Sequence, residues 1–326
     1  MIAPAAPPAH APRVGIDIGG TKVEAISLSA DGAIEARMLE RTEPGPVGVL
    51  RLAEHVVGEL ATMTGRSVTD FAGVGIGIPG QVDRAAGLVR NAYNMGVTSL
   101  ALGHELSERI GLPVSIDNDV TAASIGATHL MGLTGTIAYL NLGTGLAAGI
   151  VADGAPIRGV HGSAGEIGHL PIDRRGRACP CGQFGCLETV ASGAALRAHW
   201  PGAGEHPGRT LLAAIEAGDS SAQDAFDALV EGAASSIRVL GLTLNPDAIV
   251  LGGGLRLIGE PLVTAIRTTL DAWSARSGFL AALELSARFR VLPENSPAAA
   301  VGAALAAPTD GEVAVAHPVR SDTLGI

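Results

Sequence analysis

Apolar and polar positions along this chain switch between two periods, and the switches mark its elements. From Arg13 the run VGIDIGGTKVEAISLS reads as an apolar strand, a polar glycine-rich turn and a second strand. Val49, Leu52, Val56, Val57 and Leu60 recur at helical spacing, which predicts an amphipathic helix over 46–63. Residues 73–78 predict a short buried strand that ends at Pro79-Gly80. A short helix is expected over 100–110, a strand over 113–116, and a helix opening at Asp119 through VTAASIGATHL. The segment TIAYLNLGTGLAAGIVADG then repeats the opening pattern. Both copies have a strand carrying a polar residue two positions before a glycine turn, Asp17 in the first and Asn141 in the second. Further on, 224–244 is one long helical pattern stopped by Asn245-Pro246, 247–251 is a strand leading into Gly252-Gly253-Gly254, and 297–306 is an Ala-rich helix. Interleaved strands and helices predict an α/β fold, and the repeat predicts two half-folds whose turns face a shared cleft.

Length and charge narrow the picture. With 326 residues, 47% of them hydrophobic, the chain has material for about two domains. Its net charge of -10 repels a phosphate backbone, which argues against nucleic acid and anionic membranes as partners. The same charge does not exclude ATP, whose phosphates can be held by backbone N–H groups and one cation. The apolar stretch over 130–151 is long enough to raise a membrane span, but Asn141 and Gly143-Thr144-Gly145 break it into two strands. Residues 1–12 have neither the basic start nor the apolar core of a signal peptide, so a cytoplasmic location is expected.

Several glycine-rich turns compete as phosphate sites. No GxxxxGK[ST] run occurs. GIGIPG at 75–80 matches GxGxxG, yet Pro79 stands where a dinucleotide motif enters its helix and no acidic residue follows about 20 positions on. Asp17-Ile18-Gly19-Gly20-Thr21-Lys22 is the better candidate: Gly19 and Gly20 let the backbone approach an anion, Thr21 brings a hydroxyl and Lys22 a charge. Asp17 is placed to hold Mg2+ through water. A tight hairpin with a solvated Lys22 would show the same residues. Gly143, Thr144 and Gly145 form a second such turn, and Gly252, Gly253 and Gly254 a third that suits close approach by a nucleoside.

All three cysteines fall in Cys179-Pro180-Cys181-Gly182-Gln183-Phe184-Gly185-Cys186, a poor disulfide framework and a good metal site. Three thiolates and an imidazole suit tetrahedral Zn2+ in a closed, structural set, with His169 or His161 as fourth ligand. Among the carboxylates, Asp119 lies between a strand and a helix. It is placed to take a proton from a hydroxyl that attacks phosphorus, with Asn118 beside it to orient hydroxyls. Taken alone, the residues favour Asp119 as a helix cap instead, and Asp117 competes as base. Glu166 and Glu188 flank the cysteine segment and would present carboxylates to a polyhydroxylated ligand.

These segments together resemble the ROK family of sugar kinases and sugar-responsive repressors. DIGGTK at 17–22, GIPGQVD at 77–83, IDND at 116–119, NLGTG at 141–145, AGEIGH at 164–169, CPCGQFGCLE at 179–188 and LGGGL at 251–255 stand in the family's order. The resemblance implies an actin-like ATPase (ribonuclease H-like) fold of two lobes around a central cleft. An N-terminal lobe would comprise 13–118 plus about 294–307, and a C-terminal lobe with a zinc-binding loop 119–293, between tails at 1–12 and 308–326. It makes Asp119 the base and Asn118, Glu166, His169 and Glu188 sugar contacts, with Gly80 and Asn94 as further ones. His169 then ligates zinc through one ring nitrogen and faces the sugar with the other, which decides against His161. The turns at 19–22 and 143–145 become phosphate loops, and 252–254 lies near the adenosine.

The implied function is ATP-dependent phosphorylation of the 6-hydroxyl of a hexose, glucose first, by a homodimer that takes only small-molecule substrates. N-acetylmannosamine, N-acetylglucosamine or fructose are alternative acceptors. A sugar-sensing regulator is the alternative of another class, and the dozen residues before the first strand are too few for the family's helix-turn-helix. Two departures stand out. Leu146-Ala147-Ala148 replaces the glycine-rich run usual after NLGTG, which brings methyl groups toward the phosphates, and the tryptophan usual just after Asn94-Met95-Gly96 is absent.

Overall fold

The computed structural model describes residues 11–308 except 174, 201, 203, 205 and 206. The expected tails therefore lie outside the described residues, apart from 11, 12 and 308. The chain divides into two compact units: one of the described residues up to Ala122 together with those from Ala299, the other from Ala123 to Ala298.

The first unit opens with a three-strand meander, β1 (Arg13–Ile18), β2 (Lys22–Leu28) and β3 (Ile34–Arg41). Helix α1 (Pro46–Met63) follows, then β4 (Val74–Ile78), β5 (Gln81–Asp83), β6 (Leu88–Ala92), β7 (Val97–Leu100), α2 (Leu102–Ile110), β8 (Val114–Asn118) and the start of α3 (Asp119–Leu130). Its main sheet has the order β3-β2-β1-β4-β8, and β5, β6 and β7 make a small second sheet. The apolar stripe read from the sequence is the buried face of α1, where Val49, Leu52, Val56, Val57 and Leu60 are at most 5% exposed.

The second unit contains β9 (Thr136–Leu142), β10 (Leu146–Ala152), β11 (Ala155–Pro156), α4 (Gly193–His199), α5 (Pro207–Glu216), α6 (Ser220–Leu244), β12 (Ala248–Gly252), α7 (Glu260–Arg276), α8 (Gly278–Ala281), α9 (Leu285–Arg288) and β13 (Phe289–Val291). Its sheet runs β11-β10-β9-β12-β13. The core forms between this sheet and α6, whose Leu229, Ala233, Ile237 and Leu240 are buried. Asn245 ends α6 in the left-handed conformation just before Pro246, as the sequence predicts.

The two sheets share one plan, down to individual positions. Asp17 on β1 pairs antiparallel with Glu24 and parallel with Gly77. Asn141 on β9 pairs antiparallel with Ala147 and parallel with Gly252. The duplicated half-fold expected from the sequence is present, and each copy sets its polar residue one position before the strand end. Helix α10 (Ala298–Leu305) completes the first unit. It packs so close to β1 and β4 that a Cβ on Gly15 would stand 1.9 Å from the Ala300 carbonyl, and one on Gly75 1.8 Å from that of Ala303. Gly75, first residue of the GxGxxG lookalike, thus admits a helix rather than a dinucleotide.

Among the described residues no helix is long and apolar enough to cross a membrane. The stretch over 130–151 is instead largely β9 and β10, joined by the turn at 143–145.

Candidate functional site

In the first unit the β1–β2 turn is closed by the Gly19 N–H donating to the Lys22 carbonyl at 3.0 Å. Thr42 braces it from β3's end, its hydroxyl donating to the Gly19 carbonyl at 2.5 Å and its N–H to the Thr21 carbonyl at 3.1 Å. Gly20, Thr21 and Lys22 are left exposed. Asn94, expected on the sugar side, sits beside this turn: a Cβ on Gly20 would be 3.4 Å from that of Asn94. Gly80 (φ 105) packs against the Arg90 carbonyl and the Ala92 N–H, turning the chain out of β4 into the small sheet.

Asp17 and Asp119 approach each other around Gly77, whose missing side chain leaves that space open. A Cβ there would stand 3.9 Å from Asp17 Oδ1 and 3.5 Å from the Asp119 Cα. Although Asp17 keeps partial exposure, burial of its carboxyl pushes the pKa up to about 8, helped by the charges of Asp119 and Glu24 and opposed by Lys22. Because this folded-state pKa lies above the unfolded one, the unfolded chain releases its proton first as pH rises. Stability associated with Asp17 is present below pH 4 and is lost progressively toward pH 8. The Tm of nucleotide-free protein in EDTA is expected to fall from pH 6 to pH 8, with a shallower slope in Asp17→Asn; thermal melts at both pH values check this.

Which group caps α3 is settled by geometry. Asn118 Oδ1 accepts the N–H groups of Val120 at 2.9 Å and Thr121 at 3.2 Å, so Asn118 and not Asp119 is the cap. Asp117, the rival base, is only 5% exposed. Its Oδ1 accepts the Asn118 N–H at 3.0 Å and its Oδ2 lies 3.8 Å from Arg84 Nε.

In the second unit the Gly143–Gly145 turn is held from below. The Gly193 and Ala194 N–H groups donate to the Gly143 and Thr144 carbonyls at 2.8 and 3.0 Å. Leu146 and Ala148, expected to crowd phosphates, point the other way, into the core at 2% and 4% exposure. The two-residue period of β10 leaves only Ala147 on the opposite face.

Residues 252–254 divide by environment. A Cβ on Gly252 would fall 1.9 Å from the Tyr139 hydroxyl oxygen. One on Gly253 would fall 2.3 Å from the Leu142 carbonyl, at φ 77 and ψ 169, a region open essentially to glycine alone. Around Gly254 no such contact arises within 4 Å, so this position has room for a ligand. Gly253→Ala is expected to cost roughly 2–4 kcal/mol in urea denaturation, from backbone strain and overpacking. Gly254→Ala should change stability by less than about 0.5 kcal/mol.

The cysteine segment folds as the spacing predicts. The Cys179 N–H donates to the Gln183 carbonyl at 2.8 Å and that of Gly182 to the Cys179 carbonyl at 2.9 Å, a tight turn that returns Cys186 toward Cys179 and Cys181. The ligand atoms of His169, Cys179, Cys181 and Cys186 all lie within 4.8 Å of one another; His161 is exposed and stands outside the cluster. Cys181 Sγ is 3.7 Å from Cys186 Sγ, and Cys179 Sγ is 3.7 Å from His169 Nδ1. A tetrahedron with metal–sulfur bonds of about 2.3 Å has edges of about 3.8 Å, so this set fits Zn2+. Gln183 was not singled out from the sequence. Its amide donates to Cys181 Sγ at 3.4 Å, drawing that thiol down to about 6, and to the His169 carbonyl at 3.1 Å.

With Nδ1 turned to the sulfurs, His169 Nε2 lies 3.9 Å from Glu166 Oε2. Burial raises the Glu166 pKa, His169 opposes that shift, and Glu188 adds to it. Glu166, His169 and Glu188 therefore gather at one edge of the cysteine loop. The Ala148 N–H donates to the Gly165 carbonyl at 2.8 Å, which fixes that edge to β10. Only the folded chain shows the bracing by Gly193, Ala194 and Thr42. Gly77 is legible in the sequence as a strand residue and as the start of GIPGQVD, without its place between the two aspartates.

Comparison with known proteins identifies the family of the chain. The ROK family model matches residues 13–309. The glucokinase of Halalkalibacterium halodurans is 31% identical over 311 residues, 89% of this chain and 92% of that protein. Among solved structures, the ROK hexokinase of Thermus thermophilus superposes with a TM-score of 0.74 at 29% identity, over 91% of this chain and 97% of that one. A ROK family glucokinase from Streptomyces griseus, in complex with glucose and AMPPNP, gives 0.73 at 31% identity over 91% and 99%.

Proposed function

We propose, from the premise that this chain belongs to the ROK family, that it is an ATP-dependent kinase transferring the γ-phosphate to the 6-hydroxyl of a hexose, with glucose as the first acceptor. The pairing of Asp17 with Asp119 around Gly77, with the helix cap assigned to Asn118, carries the assignment. A carboxylate that is not the cap can take a proton, and one close beside a second carboxylate is a place for a cation.

In this reading Asp119 Oδ accepts the proton of the 6-hydroxyl as its oxygen attacks the γ-phosphorus and ADP leaves. Asp17 would help to hold Mg2+, which would supply positive charge to the phosphates. The turn at Gly19, Gly20, Thr21 and Lys22 and the turn at Gly143, Thr144 and Gly145 present N–H groups and a cation to the phosphates, with Gly254 in the open position beside the nucleoside. Glu166, Glu188 and His169 Nε2 take sugar hydroxyls, joined by Asn118, Gly80 and Asn94. His169 Nδ1 and the three cysteines would hold structural zinc, which would pin the loop carrying those groups. A cytoplasmic homodimer completes the proposal.

A coupled ADP-release assay with Mg-ATP tests it, run over glucose, fructose, mannose, N-acetylglucosamine and N-acetylmannosamine, with a polyphosphate arm for the donor. Turnover with a hexose is expected. Silence with every acceptor and both donors would remove the kinase reading and leave the sugar-responsive regulator.

A further inference from the structure

Glu188 lies at a junction that the family motifs do not suggest. Its Oε2 accepts the backbone N–H of Leu146 at 2.9 Å, the first residue of β10 after the Gly143–Gly145 turn. The approach is close because two glycines make room. A Cβ on Gly145 would stand 2.5 Å from Glu188 Oε2, and one on Gly168 would meet the Leu146 carbonyl at 2.0 Å and the Glu188 Cβ at 3.4 Å. The same stretch of chain continues the link. The Glu188 carbonyl accepts the Ser192 hydroxyl at 2.8 Å, and Ser192 Oγ accepts the Ala195 N–H at 3.0 Å, capping the helix whose Gly193 and Ala194 N–H groups hold the turn's carbonyls.

From this we infer that Glu188 is a positioning residue for the nucleotide as well as a sugar contact. Its carboxylate fixes the Leu146 N–H and thereby the conformation of the phosphate-facing turn at 143–145. This deepens the proposed kinase reading and rests on it for the identity of the two ligands. The physical basis is that a carboxylate has lone pairs for about four hydrogen bonds, so Glu188 can accept from Leu146 and from a sugar hydroxyl together. A sugar that orders this side chain lowers the entropy cost of ordering the turn. By linkage, nucleotide binding then favours sugar binding equally.

Two variants separate the roles. Glu188→Ala removes both acceptors, whereas Glu188→Gln keeps a carbonyl oxygen for the Leu146 N–H but loses the charge offered to the sugar. Calorimetry with Mg-AMPPNP in the absence of sugar is expected to show about a tenfold rise in Kd for Glu188→Ala and less than about a twofold rise for Glu188→Gln. The KM for sugar should rise in both. Unchanged AMPPNP affinity in Glu188→Ala, with only the sugar KM raised, would overturn the inference and leave Glu188 as a sugar ligand alone. An equal loss in both variants would also overturn it, since the retained acceptor would then be irrelevant. Because the nucleotide titration needs no turnover, wild-type protein that binds AMPPNP but phosphorylates no sugar would sink the kinase reading while the variants still decide this one.

Discussion

Asp119→Asn is expected to lower kcat by about 100- to 10,000-fold while glucose affinity stays within a few-fold, measured by ADP release and by calorimetry. The substitution keeps the shape of the side chain and removes its charge and its ability to accept a proton. Helix α3 keeps its start, because Asn118 Oδ1 already accepts the Val120 and Thr121 N–H groups. Asp119 is also one of the charges that raise the Asp17 pKa, so the variant loses a like-charge repulsion and should melt no lower than wild type. An inactive protein that is equally stable separates loss of the base from loss of the fold. Asp117→Asn is the contrast: it weakens a buried carboxylate's contact with Arg84 and should lower Tm more than it changes kcat per folded molecule. If Asp119→Asn kept kcat within tenfold of wild type, the proton acceptor would have to be sought elsewhere.

Metal removal should have the second largest effect. Purified protein is expected to carry close to one zinc per chain by elemental analysis. Cys181→Ser should reduce that content, raise the sugar KM at least tenfold and lower Tm. Cys181 is the informative ligand because it is exposed, so serine leaves no hole, whereas Cys186 is fully buried and its loss would mix packing with coordination. Without a cation the three thiols and the imidazole are held together only by weak sulfur hydrogen bonds and by Gln183. The tight turn over 179–186 then has little apolar area of its own to hold it. A loss of about 4 kcal/mol in a unit of this size corresponds to roughly 10 °C. The sugar effect follows from continuity: His169 contributes one ring nitrogen to the cluster and the other to Glu166, and Glu188 follows Cys186 by two residues. Folded, active protein without zinc would refute the metal assignment.

The elements found from sequence were those with local signals. The buried face of α1, the stop of α6 at Asn245-Pro246 and the strand pair around 143–145 rest on periodicity and turn chemistry within a few residues. The small sheet of β5, β6 and β7 went unread, since its strands are three to five residues long and carry mixed apolar and polar positions. Leu146 and Ala148 were misjudged because which face of a strand a side chain takes depends on register, and a shift of one residue would have reversed both.

What the sequence determined by itself was the set of groups close together along the chain: the three thiols, the polar residue before each glycine turn, and the ordered motifs that carry family membership. Covalent proximity fixes those, whatever the fold does. The tertiary structure alone decided the assignments that turn on partners far along the chain. It gave the cap to Asn118, put Asp17 beside Asp119, spent Gly15 and Gly75 on helix α10, and joined Glu188 to the Leu146 N–H. Each of these is a hydrogen bond, a charge interaction or a close approach effective over only a few ångströms, so it exists only once sheet register and helix packing have brought distant residues together.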